Sequence, residues 1–185
     1  MKKNFIIVAL AIPVFLQAQD PIAKKQYKPQ VVISVVGGIQ NNQNLKLKAP
    51  VYGLEIGVEC PLIQTKRSHI RQQFSLIRLE DKMYKSLAAE INPQYKIVAG
   101  QIFEIGVGPS LGVLFTKAVE EKRALFSYGL GASVMCQFRK FSFGIESRYA
   151  CTKKASFKDL EKESTKSVYL NNLRNIVKIG YKLYK

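Results

Sequence analysis

Residues 124–151 read ALFSYGLGASVMCQFRKFSFGIESRYAC, and this stretch decides the fold. Before the basic pair Arg139-Lys140 most apolar side chains occupy even-numbered positions, and after it they occupy odd-numbered positions. A period of two is typical of a β-strand, whose successive side chains point to opposite faces. The change of parity is expected if Phe138 and Phe141 pair across a two-residue turn. The stretch therefore predicts a β-hairpin, and each arm has about the 9 to 11 residues of a strand that crosses a bilayer on a tilt.

The same alternation recurs along the chain and predicts about eight strands joined as a meander. Its clearest example lies at residues 52–60, where Glu55 and Glu59 share the face opposite the apolar side chains. Further strands are expected around residues 31–39, 70–76, 87–97, 103–115 and 177–183. Loops are expected at residues 40–48, 62–67, 80–85, 99–101, 116–123 and 152–166, the long charged ones after odd-numbered strands. This pattern predicts an all-β fold, a closed antiparallel up-and-down barrel that crosses a membrane.

The amino terminus has the pattern of a secretory signal. Lys2 and Lys3 precede an apolar run at residues 5–16, and the residues Leu-Gln-Ala at 16–18 resemble a cleavage site. The run is too short for a spanning helix. We therefore expect a signal peptide at residues 1–18, a short linker at 19–30 and a single barrel domain at 31–185.

Composition argues against several kinds of site. The formal charge of +16 favours polyanionic neighbours, but no nucleic-acid motif accompanies it, so nucleic acid is not an expected partner. Cys60, Cys136 and Cys151 lie on the apolar faces of their strands and form no metal or redox spacing. His69 is the only histidine, and the adjacent Ser68 points to the opposite face of the strand. We therefore expect no enzymatic activity, no metal and no cofactor.

Alternation alone does not say which face meets lipid. A soluble exported barrel that binds an apolar ligand, as lipocalins do, would have the same pattern with its apolar face turned inward. The polar face here is rich in glycine and serine with a few charges, which suits the narrow lumen of an eight-stranded barrel.

Aromatic residues of the apolar face fall near strand ends, as two membrane interfaces would select. One predicted girdle consists of Tyr52, Phe115, Phe126 and Tyr149, with Tyr128 beside them. The other consists of Tyr95, Phe103, Phe138, Phe141, Phe143 and Tyr181. These positions favour an apolar face that is turned outward to lipid.

The carboxyl terminus supports the same interpretation. Residues 178–184 read KIGYKLY, and this segment resembles the assembly signal of many outer-membrane barrels, although the chain ends on Lys185 rather than on an aromatic residue. With the strand pattern and the signal, the mature chain resembles the small outer-membrane barrels typified by the OmpA transmembrane domain and its OmpX- and OmpW-like relatives. The resemblance implies the outer membrane of a Gram-negative bacterium, a structural or surface-interaction role, and recognition of the last strand by the barrel-assembly machinery.

An outward apolar face places charged side chains inside the barrel. The predicted lumen network consists of Glu55, Glu59, Glu90, Glu104, Glu146, Arg71, Arg148 and Lys178, and Lys96, Arg139 and Lys182 are expected to face the same way. Unpaired charges would be costly in a narrow lumen, so we expect ion pairs that fill it. A small porin-like pore is the alternative.

Lysines in the predicted loops account for much of the excess positive charge. They are Lys46, Lys48, Lys82, Lys85, Lys153, Lys154, Lys158, Lys162 and Lys166. These lysines are expected to form a solvated surface. The sharper hypothesis is electrostatic contact with outer-membrane lipid, in particular with the phosphates of lipopolysaccharide, or with host polyanions.

Overall fold

The computed structural model is a closed barrel of eight antiparallel strands. It describes residues 30–42, 47–65, 67–80, 84–99, 102–118, 121–153, 155–159, 164–168 and 170–183. The predicted signal peptide, and all of the predicted linker except Gln30, lie outside the described residues. The barrel strands are β1 (Val31–Asn42), β2 (Leu47–Gln64), β3 (Ser68–Glu80), β4 (Tyr84–Ala99), β5 (Phe103–Ala118), β6 (Glu121–Phe138), β7 (Phe141–Thr152) and β10 (Asn172–Leu183).

Every barrel strand pairs with its neighbours along the chain, and β1 closes the barrel by pairing with β10. The connection from β7 to β10 contains a separate two-stranded sheet, β8 (Ala155–Asp159) with β9 (Ser164–Val168). We call the barrel end with this sheet the loop end. The opposite end, with the turns after β2, β4 and β6, is the turn end. The predicted all-β, up-and-down topology is confirmed.

The hairpin of β6 and β7 forms as its sequence predicts. Phe138 lies opposite Phe141, and Arg139 and Lys140 make the two-residue turn. Arg139 has a φ of 50°, the only positive φ of a non-glycine residue in the described ranges. A positive φ at the first central position matches the right-handed twist of the flanking strands.

The apolar face is turned outward. Leu130 is 65 % exposed and Val35 is 63 % exposed, whereas the largest fully buried side chains include Arg148, Arg174 and Lys96. A soluble barrel distributes its side chains in the opposite way. The segment at residues 70–76 also forms a strand as predicted, with Arg71, Gln73 and Ser75 inward and with Gln72 on the same outward face as Phe74.

The predicted loops near the loop end are largely wrong, because the strands continue through them. β5 runs to Ala118 and β6 begins at Glu121, so most of the charged segment 116–123 pairs across the hairpin. Likewise β10 begins at Asn172, five residues before its predicted start, and residues 152–166 contain β8. Where both faces of a strand are exposed to water, both can carry charged side chains while the backbone hydrogen bonds to the neighbouring strand continue. The end of apolar alternation therefore does not mark the end of the strand.

Pro93 of β4 and Pro109 of β5 lie where the ladder between these two strands is interrupted, because proline has no backbone N–H to donate. The register between these strands breaks off at Ile91 and resumes at Tyr95. A Cβ added at Gly108 would lie 1.9 Å from the carbonyl oxygen of Pro93, so only glycine fits this close approach without a backbone shift.

Candidate functional site

The lumen is the candidate site, and its long charged side chains fit because glycines lie beside them. A Cβ on Gly106 would come within 2.7 Å of the Lys96 ammonium nitrogen, and a Cβ on Gly57 would come within 3.1 Å of the Arg71 chain. The small residues of the polar face thus provide the space that the charged residues occupy. The lumen is consequently packed with side chains along much of its length.

Six charged side chains in the middle of the barrel form what we call the central cluster. Three of them are carboxylates and three are cations, and each is at most 4 % exposed. They are Glu55, Glu90, Glu146, Arg148, Arg174 and Lys178. The cluster is therefore balanced in charge.

Arg148 connects all three carboxylates of the central cluster. Its Nε donates to Glu146 Oε1 at 2.8 Å, and its Nη2 contacts the same oxygen. Its Nη1 lies 2.6 Å from Glu90 Oε2, and its Nη2 lies 3.5 Å from Glu55 Oε2. The Ser75 hydroxyl accepts a further hydrogen bond from Nη1 at 3.2 Å. A planar guanidinium with several donors suits such a shared position better than an ammonium group does.

The other two cations complete the balance. Lys178 Nζ lies 2.6 Å from Glu55 Oε1 and 2.5 Å from Glu146 Oε2. Arg174 Nη1 lies 2.6 Å from Glu90 Oε1. Each carboxylate thus contacts two cations drawn from β7 and β10. These contacts join β2 and β4 to the far side of the barrel.

Sequence reasoning missed Arg174, because the last strand was expected to begin only at Val177. Arg174 faces inward, and its Nε donates to the amide oxygens Gln40 Oε1 and Asn172 Oδ1, both at 3.0 Å. The alternation is obscured here, since the apolar Ile176 also points inward and is fully buried. The signal that would have found Arg174 is its even position, which it shares with Lys178 and Lys182.

A second group of charges, the turn-end cluster, consists of Glu59, His69, Arg71 and Glu104. Arg71 pairs with Glu59 at 3.0 Å and with Glu104 at 3.2 Å. His69 Nε2 lies 3.5 Å from Glu59 Oε1 and 3.3 Å from Arg71 Nη2. Gln137 donates to Glu104 Oε2 at 2.8 Å. His69 is thus embedded in a polar network, and no serine hydroxyl of the described residues hydrogen-bonds to its ring.

Lys96 lies between the two clusters and is fully buried. Its ammonium donates to the Ser133 hydroxyl at 2.6 Å, and that hydroxyl donates to Gln94 Oε1 at 2.8 Å. A hydroxyl rather than a carboxylate therefore anchors this lysine. Lys182 is also buried near the turn end, with 8 % exposure.

The loop end of the lumen is filled by apolar side chains, which the sequence did not predict. They are Val36, Ala49, Val51, Ile77, Leu79, Ala88, Leu114, Leu170 and Ile176. Leu170 comes from the last connection, where its backbone N–H donates to the Thr152 hydroxyl at 3.0 Å. The lumen is thus layered, with an apolar plug at the loop end and charges below it.

All eight residues predicted for the lumen network point inward and are buried, and the structure divides them between the two clusters. One of the three further residues differs. Arg139 was expected to face the lumen but is exposed in the turn after β6, because β6 ends at Phe138.

The residues predicted for the aromatic girdles lie on the outer surface. Phe115, Phe126 and Tyr128 are about half exposed towards the loop end, and Phe126 and Tyr128 stack at 6.5 Å. Near the turn end, Phe141 and Tyr181 meet edge to face at 5.5 Å. Cys60, Cys136 and Cys151 are free thiols.

Some of the predicted loop lysines lie on the outer rim of the barrel, and others lie outside the described residues. Lys48, Lys85 and Lys153 are exposed at the loop end. Lys46, Lys82, Lys154 and Lys162 lie outside the described residues, as do the side chains of Lys158 and Lys166. Within the described ranges, no group of three or more histidine, cysteine or acidic side chains is arranged to hold a metal ion. No described helix has the length and apolarity needed to cross a membrane.

Comparisons with known proteins show a likeness of structure but not of sequence. No protein-family model matches the chain, and no curated protein matches it. The amino-terminal β-barrel domain of Pseudomonas aeruginosa OprF superposes with a TM-score of 0.59 at 14 % identity, over 83 % of this chain and 97 % of that one.

Two further solved structures are similar. Neisserial surface protein A gives a TM-score of 0.55 at 9 % identity, over 85 % of this chain and 97 % of that one. Ail, the attachment invasion locus protein of Yersinia pestis, gives 0.51 at 10 % identity, over 86 % of this chain and all of that one. At these identities the likeness establishes the fold, which is that of small eight-stranded outer-membrane barrels, as the sequence predicts.

Proposed function

We propose that this chain is an exported outer-membrane β-barrel of a Gram-negative bacterium with a structural or surface-interaction role, and that it is not an enzyme. The observation that carries the proposal is the distribution of side chains between the two faces. Apolar residues cover the outside of a closed barrel, while arginines, lysines and glutamates fill its inside. Water would disfavour such an exterior, whereas a bilayer stabilises it.

The closed barrel also satisfies its own backbone. Each of the eight barrel strands has a partner on both sides, so no open sheet edge faces outward. Inside a membrane, unpaired backbone groups cost several kcal/mol each. Closure between β1 and β10 therefore supports membrane insertion. We infer that the last strand is also the element that the barrel-assembly machinery recognises.

The interior supports a structural role over a channel. The central cluster is at most 4 % exposed, and the apolar plug closes the loop end above it. An ion would have to separate buried pairs to pass, which is costly. We expect planar-bilayer recordings of the purified protein to show no steady unitary conductance. Regular conducting steps would favour the porin-like alternative.

The lipocalin-like alternative requires an apolar ligand inside the barrel. Charged and polar side chains occupy most of the described lumen, and the apolar side chains at its loop end pack against one another. This arrangement favours a barrel whose interior is filled by its own side chains over a barrel with a cavity for an apolar ligand.

Fractionation with a mobility test checks the proposal. The full chain should appear in the outer-membrane fraction, require detergent for extraction, and migrate differently on a gel before and after boiling. Recovery as a detergent-free soluble monomer with one mobility would overturn the assignment.

A further inference from the structure

A row of like charges crosses the outside of the barrel at the loop end. Lys85 lies opposite Lys117, and Lys117 lies opposite Lys122, on three adjacent strands. Directly opposed side chains on one face have Cβ atoms about 4.5 to 5.5 Å apart, and like charges there are destabilising. All three lysines are exposed. The row therefore carries a repulsion that an anion would relieve.

Acidic neighbours compensate only part of this row. Glu80 lies 2.5 Å from Lys85 and 3.5 Å from Arg78. Glu121 pairs with Arg123 at 2.5 Å. Among the described residues, no carboxylate pairs with Lys117 or Lys122. On the outward face, four described cations (Arg78, Lys85, Lys117 and Lys122) and one described carboxylate (Glu80) leave an excess of three positive charges, because Glu121 and Arg123 lie on the inward side of β6.

The row lies directly above the apolar belt. In the next cross-strand row towards the middle of the barrel, Arg78 lies opposite Leu87, Leu87 opposite Phe115, and Phe115 opposite Ala124. Two residues along a tilted strand amount to about 5 Å of height. The lysine ammonium groups are thus at the level where lipid phosphates follow acyl chains.

The two rows line a shallow groove with a volume of about 540 Å³. Its floor includes Leu87, Phe115 and Ala124, and its upper edge includes Lys85, Lys117 and Lys122. An apolar floor below a basic edge is complementary to a phosphorylated lipid, since acyl chain and phosphate lie in the same order.

From this surface we infer a binding site for the phosphate of an outer-leaflet lipid, with Lys117 and Lys122 as its main ligands and Lys85 and Arg78 beside them. The inference rests on the proposed membrane function and narrows it to one side of the barrel, β3 to β6. Lys48 and Lys153, on other strands of the same end, are not part of the site.

The experiment compares two variants of the full chain in neutral detergent micelles. Lys117→Gln/Lys122→Gln removes the site, and Lys48→Gln/Lys153→Gln removes the same charge from the same barrel end. Binding of bisphosphorylated lipid A is measured by native mass spectrometry. At about 1 kcal/mol per lysine near a lipid surface, the site variant should bind about 30-fold more weakly, and the control variant less than about 3-fold. Equal losses in both variants, or no loss in either, would overturn the site.

Two further arms identify the ligand. Dephosphorylated lipid A should bind the parent as weakly as lipid A binds the site variant, and equal binding of the two lipids would contradict a phosphate site. Inorganic phosphate at about 10 mM should not displace lipid A, because it lacks the acyl chains that contact the apolar floor. Complete displacement would indicate a free-anion site instead of a lipid site.

Unfolding midpoints provide a second measurement. Lipid A that only mixes with the detergent micelle, without occupying the site, would not change the difference between the parent and the site variant. Without lipid A, the site variant should be at least as stable as the parent, because lysine repulsion is removed. With lipid A, the parent should gain stability and the site variant should not. A parent protein without a heat-dependent mobility shift would refute the barrel proposal, whereas a normal shift with equal lipid binding would refute only this site.

Discussion

Replacing Arg148 with methionine should strongly destabilise the barrel. The substitution keeps most of the side-chain length but leaves the three carboxylates of the central cluster with only Arg174 and Lys178. Arg148 and its carboxylate partners are at most 4 % exposed, so the uncompensated charge stays buried. Removal of one partner from a buried ion pair costs about 3 to 5 kcal/mol. For a urea dependence of about 2 kcal/mol per molar, the unfolding midpoint should fall by about 1.5 to 2.5 M.

The assay is urea unfolding in phospholipid vesicles, followed by the mobility difference between folded and unfolded protein. The chain has no tryptophan, so gel mobility or circular dichroism is preferable to intrinsic tryptophan fluorescence. Arg123→Met is the matched control, because Arg123 pairs with Glu121 at a partly exposed site and should cost less than about 1 kcal/mol.

A second substitution tests the cause. Adding Glu146→Gln to Arg148→Met leaves Glu55 paired with Lys178 and Glu90 paired with Arg174, so the double variant should recover part of the loss. We expect a coupling energy of about 1 to 3 kcal/mol between the two sites. The reasoning would be refuted if Arg148→Met unfolded at the parental urea concentration, or if the two substitutions were simply additive.

Three further predictions follow from the packing. Gly108→Ala should destabilise the barrel by about 1 to 3 kcal/mol, because the new Cβ would meet the Pro93 carbonyl. Gly37→Ala is the control and should be close to neutral, because no atom lies within 4 Å of its added Cβ. Equal unfolding midpoints of the two variants would contradict this. Leu130→Arg should lower stability in vesicles by about 2 to 4 kcal/mol, and an unchanged midpoint would argue against lipid contact. Cys136, on the outer face, should react with a membrane-impermeant maleimide only after unfolding in vesicles; rapid labelling of the folded protein would place it in water.

Local patterns in the sequence were sufficient for the strands and their faces. The alternation around Arg139-Lys140 predicted the hairpin and its register, because a parity change has one simple geometric meaning. The inward direction of the glutamates followed from the same rule. These features depend on neighbours along the chain.

The partners inside the lumen depend on barrel closure, which no local pattern contains. Lys178 and Glu55 are 123 residues apart in sequence and meet only because β10 and β2 both flank β1. The apolar plug was missed for a related reason. Ile77 and Leu79 point inward while Arg78 points outward, so at this end of β3 the polar residue no longer marks the inward face. Strand ends were misplaced wherever charged residues continue the ladder, as they do before Ala118.

The layered lumen explains why the polar face combines glycines with long charged side chains. Each charged side chain of the central cluster forms an ion pair with a residue of another strand, so the network connects strands on opposite sides of the barrel. The excess positive charge of the chain is instead carried outside, where Lys117 and Lys122 lack an acidic partner among the described residues. We propose that the interior charge stabilises the barrel and that the exterior charge contacts phosphorylated lipid.

Quenching of a single tryptophan tests most directly whether the outward face meets lipid. Leu130→Trp places the only tryptophan of the chain at a position that is 65 % exposed, in the middle of β6. Lys140→Trp, in the turn, is the matched aqueous control. In vesicles, lipids brominated deep in their acyl chains should quench the tryptophan at 130 strongly and the one at 140 weakly, and aqueous iodide should do the reverse. Strong iodide quenching at 130 without quenching by brominated lipid would contradict the account.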